Sequence, residues 1–280
     1  MTIIAHISDL HLLEDSAHER RGASWLRLQY LTLGRTSSPA ARRLRVRHLL
    51  SAALRSFADH LIITGDLTED GTLGQFKSLA DVLHESGWLP SRVTLVPGNH
   101  DLYSHPNAWR DALTGPLEPY AATSEEGAVI ELPDTCIVPL STAFHQHVMR
   151  AAGALSDESI AALGRWASSE LRAFGSGIIA QHHPPRRYAL SPIQWLDGLT
   201  GAPDLLQILE KYDQLNVLHG HTHRTESRPV RPGGPHRIFS VNSAQSEEMA
   251  LRLYRVKNRR LWPEPVRIES MAPVYTGEFA

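Results

Sequence analysis

Short apolar runs alternate along this chain with longer segments whose apolar positions recur every three to four residues, and that alternation predicts its elements. Residues 2–8 read as a buried strand, and 12–40 show no clear period. From Ala40 a helix brings Val46, Leu49, Leu50, Ala53, Leu54 and Phe57 to one side, with Arg43, Arg47 and Arg55 elsewhere on its circumference. A strand at 60–64, a helix at 72–86 stopped by Gly87 and Pro90, and a strand at 92–96 follow. Strand, helix, strand, helix, strand predicts an α/β fold. After a less regular stretch with a short helix around Trp109, residues 128–132 and 135–140 predict a hairpin around Pro133-Asp134. Ser156 caps a helix over 156–174, with Asp157 and Glu158 in its first turn. A strand at 177–181, a helix at 203–212 and a strand at 215–218 come next. The character then changes: 237–241, 249–256 and 266–269 predict antiparallel strands, with turns at Pro232-Gly233-Gly234 and Lys257-Asn258. No repeat or linker interrupts this pattern, which predicts one domain over 1–280 with two stacked sheets.

Composition alters the picture little. The 280 residues are 42% apolar and 21% charged, with a formal net charge of −2. That balance is ordinary for a globular chain and gives no reason to expect a stable nucleic-acid partner. Cys136 is the only cysteine, so no disulfide forms within the chain. No charged segment followed by an apolar core opens the sequence, and no apolar run reaches the length of a membrane span. Together with a reducing compartment these features predict a cytoplasmic location. Histidine is the exception to the ordinary composition: there are 16, and His11, His100, His182, His183, His221 and His223 fall in short patches that carry chemistry.

The patches are Asp9-Leu10-His11, Gly65-Asp66, Gly98-Asn99-His100-Asp101, His182-His183-Pro184 and Gly220-His221-Thr222-His223, each just after a predicted strand. Strand ends of an open α/β sheet gather at one edge, so distant patches can converge on one pocket. Asp9 and His11, two apart at a strand end, point to one side and can grip one ion. A carboxylate with an imidazole suits manganese, iron or zinc better than magnesium or calcium. Asp66 leaves an apolar strand with two oxygens able to bridge two ions, although Gly-Asp alone suits a turn or a helix cap equally well. Asn99 offers a neutral carbonyl oxygen; His100, adjacent to it, is better placed to face a substrate, with Asp101 orienting its ring. His182, nearer its strand, is the ligand candidate of its pair, while His183 packs or hydrogen-bonds. His221 and His223 repeat the two-residue spacing, and each is open to a different ion.

In this order the patches resemble the calcineurin-like metallophosphoesterase superfamily, over residues 9–223, and within it the bacterial phosphodiesterase branch that includes cyclic-nucleotide phosphodiesterases. The resemblance implies a four-layer α/β/β/α sandwich with two mixed β-sheets. It implies two divalent metal ions, manganese, iron or zinc, one held by Asp9, His11, Asp66 and His223 and the other by Asp66, Asn99, His182 and His221. It also implies hydrolysis of a phosphate diester by a hydroxide that the metals share, with His100 stabilising or protonating the leaving group. The protein-phosphatase branch usually carries an arginine soon after the bridging aspartate and another directly after Asn-His; residues 68–71 and Asp101 stand there instead. Many relatives place an aspartate three residues after the bridging one to support the catalytic histidine. Here that position is Glu69, with Asp70 beside it, and either can serve. A phosphomonoesterase, a nucleotide-lipid pyrophosphatase, a nuclease or a scaffold that kept only the fold are the alternatives, and the complete ligand set disfavours the last.

The basic and aromatic insert at about 12–40 is the main sequence clue to substrate. Residues 20–47 hold arginines at 20, 21, 27, 35, 42, 43, 45 and 47 and no acid, with Trp25, Leu26, Leu28, Tyr30, Leu31 and Leu33 among them. The segment reads as a partly packed cap, as a lid over an anionic substrate, or as a surface for peripheral contact with anionic lipid, and basic-plus-aromatic segments also suit nucleic acids. A small-molecule phosphoester ranks first as substrate, with His145, His147, Arg150, Arg186, Arg187 and Tyr188 expected to line its pocket.

Overall fold

The computed structural model describes residues 1–265 apart from Glu247 and Met249. From the N-terminus, β1 (Ile3–Ile7) leads through α1 (Gly22–Leu31) and α2 (Pro39–Arg55) to β2 (His60–Thr64), then through α3 (Leu73–Glu85) to β3 (Val93–Val96). α4 (Ala108–Leu113) precedes the hairpin of β4 (Ile130–Leu132) and β5 (Thr135–Pro139). Then come β6 (Gly153–Ala154), α5 (Asp157–Ser169), β7 (Gly177–Ala180), α6 (Ser191–Asp197), β8 (Leu199–Thr200), α7 (Ala202–Lys211) and β9 (Leu215–His219). The last described strands are β10 (Ser227–Pro229), β11 (His236–Ser240), β12 (Arg252–Lys257) and β13 (Arg260–Glu264).

One sheet has the order β13-β12-β1-β2-β3 and the other β10-β11-β9-β7-β5-β4. In the first, β1, β2 and β3 are parallel and β12 is antiparallel to β1. In the second, β5, β7, β9 and β11 are parallel, with antiparallel β4 and β10 at the edges. The strands are apolar on both faces because both faces are covered. Ala5, Ile7, Leu61 and Ile63 pack with Val46, Leu50, Phe76 and Leu79 of α2 and α3. The alternating Ile4 and Ile62 face Ile137, Ile178, Leu218 and Phe239 of the other sheet. Ile179 and Val217, in turn, meet Leu163, Leu205 and Leu209 of α5 and α7. The layers are therefore helix, sheet, sheet, helix, as the four-layer expectation has it. Among the described residues no helix is long and apolar enough to cross a membrane.

Several elements differ from their sequence reading. Residues 12–40 are not irregular: α1 lies within them, with Leu28 and Leu31 buried and Trp25, Leu26, Tyr30 and Leu33 exposed. Apolar residues on every side of a helix leave no single stripe for periodicity to detect. The helix begun at Ala40 starts at Pro39, behind the Ser38 cap, and ends before Phe57, which is 85% exposed in a left-handed conformation. The strand at 237–241 is parallel to β9 rather than antiparallel, because the chain first builds the edge strand β10 and then returns between it and β9. The strand read at 249–256 begins at Arg252, and the one read at 266–269 lies outside the described residues.

Candidate metal centre

The carboxyl ends of strands from both sheets meet. Asp9 and His11 follow β1, Asp66 follows β2, and Asn99 and His100 follow β3; His182 follows β7, and His221 and His223 follow β9. The loops are laced by backbone bonds: Asp9 N to Gly65 O at 3.0 Å, His11 N to Asp66 O at 2.9 Å, Gly220 N to His182 O at 3.1 Å. Two glycines make this approach possible. A Cβ on Gly65 would lie 2.4 Å from His182 Nδ1, and one on Gly98 would lie 2.2 Å from Asp66 Oδ1. Asp9, His11, Asp66, His221 and His223 all have positive φ, between 46° and 66°. Such backbone costs on the order of 1–3 kcal/mol per residue and persists where surrounding structure enforces it, characteristically at functional sites.

Asp66 is central. Its Oδ2 is 3.8 Å from His11 Nε2 and 3.9 Å from His100 Nε2, and its Oδ1 is 3.4 Å from His182 Nε2. Asp9 Oδ1 is 3.2 Å from His223 Nε2. Donor atoms lie within 4.8 Å of one another in four overlapping sets: Asp9, His11 and His223; His11, Asp66 and His100; Asp9, Asp66 and His182; His182, His183 and His221. Burial disfavours the charged form of Asp66, but the positive field of His182 and His100 outweighs it and holds the carboxyl well below the usual carboxylate range.

The donor set fits a cation. Asn99 Oδ1 and His182 Nε2 are buried without a hydrogen-bond partner, a costly arrangement for polar atoms in the absence of a ligand, and His11 turns Nε2 toward Asp66 and Nδ1 toward Glu69. Asn99 Nδ2 donates to Tyr103 Oη at 2.8 Å, which fixes the amide and commits its oxygen to the other side. His183 differs. Its Nδ1 is 2.8 Å from Thr142 Oγ1 and its Nε2 3.2 Å from Ala151 O, so both ring nitrogens are used within the protein.

His100 sits at the mouth of the cluster. Its backbone N–H donates to Asp66 Oδ1 at 2.9 Å, and its Nδ1 to the Glu69 carbonyl at 2.7 Å, which turns Nε2 toward Asp66. The Glu69 carboxylate stands 3.9 Å from His100 Nδ1 and is held by Arg35, at 2.6 Å, and by Arg42. Asp70 is instead held by Arg20 and Arg27, so of the two acids it is Glu69 that adjoins the ring. Asp101 does not orient His100 as its neighbouring position implied. Its carboxylate accepts from the backbone N–H groups of Leu67, Thr68 and Gly98, at 3.0, 2.8 and 2.8 Å, and from Thr68 Oγ1. Adjacent residues project to different sides, and these unpaired loop amides claim Asp101. Burial and the charge of Asp66 push its carboxyl up to about 6.

Four arginines of the insert, Arg20, Arg27, Arg35 and Arg42, turn inward onto Glu69 and Asp70, whereas Arg21, Arg45 and Arg47 are exposed. Besides those on Glu69 and Asp70, Arg43 pairs with Asp15, Arg47 with Glu85, and Arg45 donates to the Gln245 carbonyl. What α1 presents outward is chiefly Trp25, Leu26 and Tyr30. Arg35 Nη1 comes within 3.5 Å of His11 Nε2, which places the insert at the rim of the cluster. Arg186 and Tyr188 lie beside His221 in a polar recess of about 320 Å³ or against it. His145, His147 and Arg150 line a separate recess with Phe144 and Trp195, the Arg150 guanidinium lying 5.1 and 4.9 Å from those two rings. Arg187 lines a groove with Pro184 and Pro185. Sequence reasoning missed Asp197, whose Oδ1 is 2.8 Å from His221 Nε2, and Tyr103, which holds Asn99. Neither follows a strand or belongs to a patch, so no local signal marks them.

A fold of two stacked mixed sheets with a histidine-aspartate cluster at their joint carboxyl edge defines a class of hydrolases. The chain belongs to the calcineurin-like phosphoesterase family, whose sequence model matches residues 2–225. It is 27% identical to a 3′,5′-cyclic-nucleotide phosphodiesterase of Nostoc sp. over 226 residues, 79% of this chain and 71% of that one. It is also 27% identical to a probable glycerophosphodiester phosphodiesterase of Arcobacter nitrofigilis over 180 residues, 62% of this chain and 60% of that one. Among solved structures a dimetal phosphatase from Danio rerio is similar in fold, with a TM-score of 0.62 at 14% identity, covering 90% of this chain and 92% of that one. A purple acid phosphatase from yellow lupin has a TM-score of 0.56 at 11% identity, covering 92% of this chain and 50% of its own.

Proposed function

We propose that the cluster holds two divalent ions and that the chain hydrolyses phosphate diesters of small molecules. Asp9, His11, Asp66 and His223 would hold one ion, and Asp66, Asn99, His182 and His221 the other, with Asp66 shared. Mixed oxygen and imidazole donors suit manganese, iron or zinc. When bound, such a pair supplies Lewis acidity toward phosphoryl oxygens and makes water nucleophilic near neutral pH. The observation that carries this reading is the Asp66 carboxylate, within 3.9 Å of histidines from three separate loops, beside partnerless Asn99 Oδ1 and His182 Nε2.

The protein's own groups do the remaining work. His100, its Nδ1–H pinned on the Glu69 carbonyl, presents Nε2 to the leaving-group oxygen; in the imidazolium form it gives up the Nε2 proton there and is left as the neutral Nδ1–H ring, a role worth roughly 10²–10⁴ in rate. Arg35 sets a fixed cation at the rim, beside His11. The names of the Nostoc and Arcobacter relatives support a diester over a monoester. Half of the arginines in the 20–47 segment, Arg20, Arg27, Arg35 and Arg42, are spent on Glu69 and Asp70 inside the protein, which weakens the segment as a basic lipid-binding surface and favours a small soluble substrate.

The test is direct. Protein loaded with manganese, iron or zinc is assayed on bis(p-nitrophenyl) phosphate and on p-nitrophenyl phosphate. Faster turnover of the diester is expected, lost in Asp66→Ala and Asn99→Ala. Folded, metal-replete protein inactive on a broad panel of diesters would overturn the reading.

A further inference from the structure

We propose that Asp197 is a positioning residue for His221, an inference that rests on the metal-ligand role assigned to that histidine above. Asp197 ends α6, a seven-residue helix with no buried residue of its own, on a segment that the recognisable patches do not include. Its Oδ1 lies 2.8 Å from His221 Nε2. An ionised carboxylate has no proton to give, so the imidazole is the donor and Nε2 carries the hydrogen. In the neutral ring that leaves Nδ1 as the lone-pair atom, available to the cluster formed with His182. A hydrogen bond to one ring nitrogen thus selects which nitrogen can bind a cation.

Asp197 is itself held. Its Oδ2 accepts from Tyr188 Oη at 2.5 Å, and Arg186 Nη2 donates to the same phenol oxygen. The Arg186 guanidinium also lies over the Tyr188 ring, 4.6 Å from its centroid. Tyr188 N–H donates to Gln194 Oε1 at 2.8 Å, tying the loop back to α6. Gly198 packs directly on the Gln194 side chain, where a Cβ would come within 2.3 Å. Both carboxylate oxygens are therefore committed and the backbone behind them is fixed. An ordinary surface ion pair has neither feature and contributes little. His221 has only 8% of its side chain exposed, so its orientation depends on this one partner rather than on water.

Losing an outer carboxylate of this kind typically weakens metal affinity by about 10–100-fold. The experiment is a manganese titration of the metal-stripped full chain by calorimetry and equilibrium dialysis, with wild type, Asp197→Ala, Asp197→Asn and His221→Ala. Two ions are expected for wild type. Asp197→Ala is expected to weaken one of them about 10–100-fold and leave the other unchanged, and His221→Ala to weaken the same one. Asp197→Asn keeps an acceptor oxygen and is expected to recover part of the loss. Melting temperatures of the metal-free variants equal to wild type would show that the fold is intact. Wild type binding two ions with Asp197→Ala indistinguishable from it would overturn the proposal and leave the metal centre standing. Equal weakening of both ions, a lowered metal-free melting temperature in Asp197→Asn, or asparagine no better than alanine would overturn it too. Failure of wild type to bind any ion would instead refute the metal centre itself.

Discussion

Arg42 and Glu69 form an ion pair in which neither side chain has any exposed surface. Arg42 also donates to the carbonyls of Thr36 and His11, so one guanidinium joins the insert, the β1 loop and the acid beneath His100. Breaking a buried pair leaves the remaining charge uncompensated. Arg42→Ala is expected to destabilise the protein by about 3–5 kcal/mol, read from urea denaturation midpoints. A loss under 1 kcal/mol would mean that Arg35 alone satisfies Glu69.

His100 donates to the Glu69 carbonyl through Nδ1, and both of its neighbours in the chain, Asn99 and Asp101, are committed elsewhere. Its ring is therefore separable from metal binding. His100→Asn is expected to lower kcat by about 10²–10⁴ with bound manganese unchanged. Metal loss in this variant would reassign His100 as a ligand, whereas unchanged kcat would remove it from the reaction.

Gly98 abuts Asp66, and a methyl group there has no room. Displacing the Asp66 carboxylate should disable the proposed centre without substituting any of its ligands. Wild type is expected to show a manganese-dependent rise in melting temperature after chelation and reloading, and Gly98→Ala to lose it. At a metal concentration 100 times Kd that rise corresponds to about 2.7 kcal/mol. An undiminished rise in Gly98→Ala would show that the loop moves aside easily.

His60 in β2 is buried, its Nε2 2.8 Å from Thr94 Oγ1. Burial, assisted by the Arg92 charge, brings its pKa down from 6.5 to about 3. The folded chain keeps it neutral while the unfolded chain protonates it near 6.5. Between pH 6.5 and 3 the unfolded state thus binds more protons, and stability falls as pH falls. The contribution of this one group is at most about 1.4 kcal/mol per pH unit. His60→Gln is expected to show a shallower decline of melting temperature from pH 7 to 4.5; parallel curves for the two proteins would contradict the assignment.

The strands bearing Asp9, Asp66, His182 and His221 were legible because each is an apolar run ended by a glycine or a ligand type, and burial on both faces makes such runs unmistakable. The convergence of those side chains follows from the parallel order of the strands. Helix α1 was not legible, since its apolar residues point both inward and outward. Nor was α6, whose Ile193, Trp195 and Leu196 are exposed, so no core imposes a period on it. The pairing of Asp197 with His221 and of Arg42 with Glu69 depends on tertiary proximity between segments whose own sequences look like solvated loop and basic cap. Asp101 was misread for a related reason: adjacency does not aim its carboxylate at the His100 ring, and the amides of Leu67, Thr68 and Gly98 claim it.

The cluster draws Asp9, His11, Asp66 and Asn99 from one sheet and His182, His221 and His223 from the other. A cation caught there is a rivet through both halves of the sandwich. Starving the protein of metal would accordingly loosen the seam between the sheets as well as stop turnover, and a lost cofactor would read in the cell as lost protein.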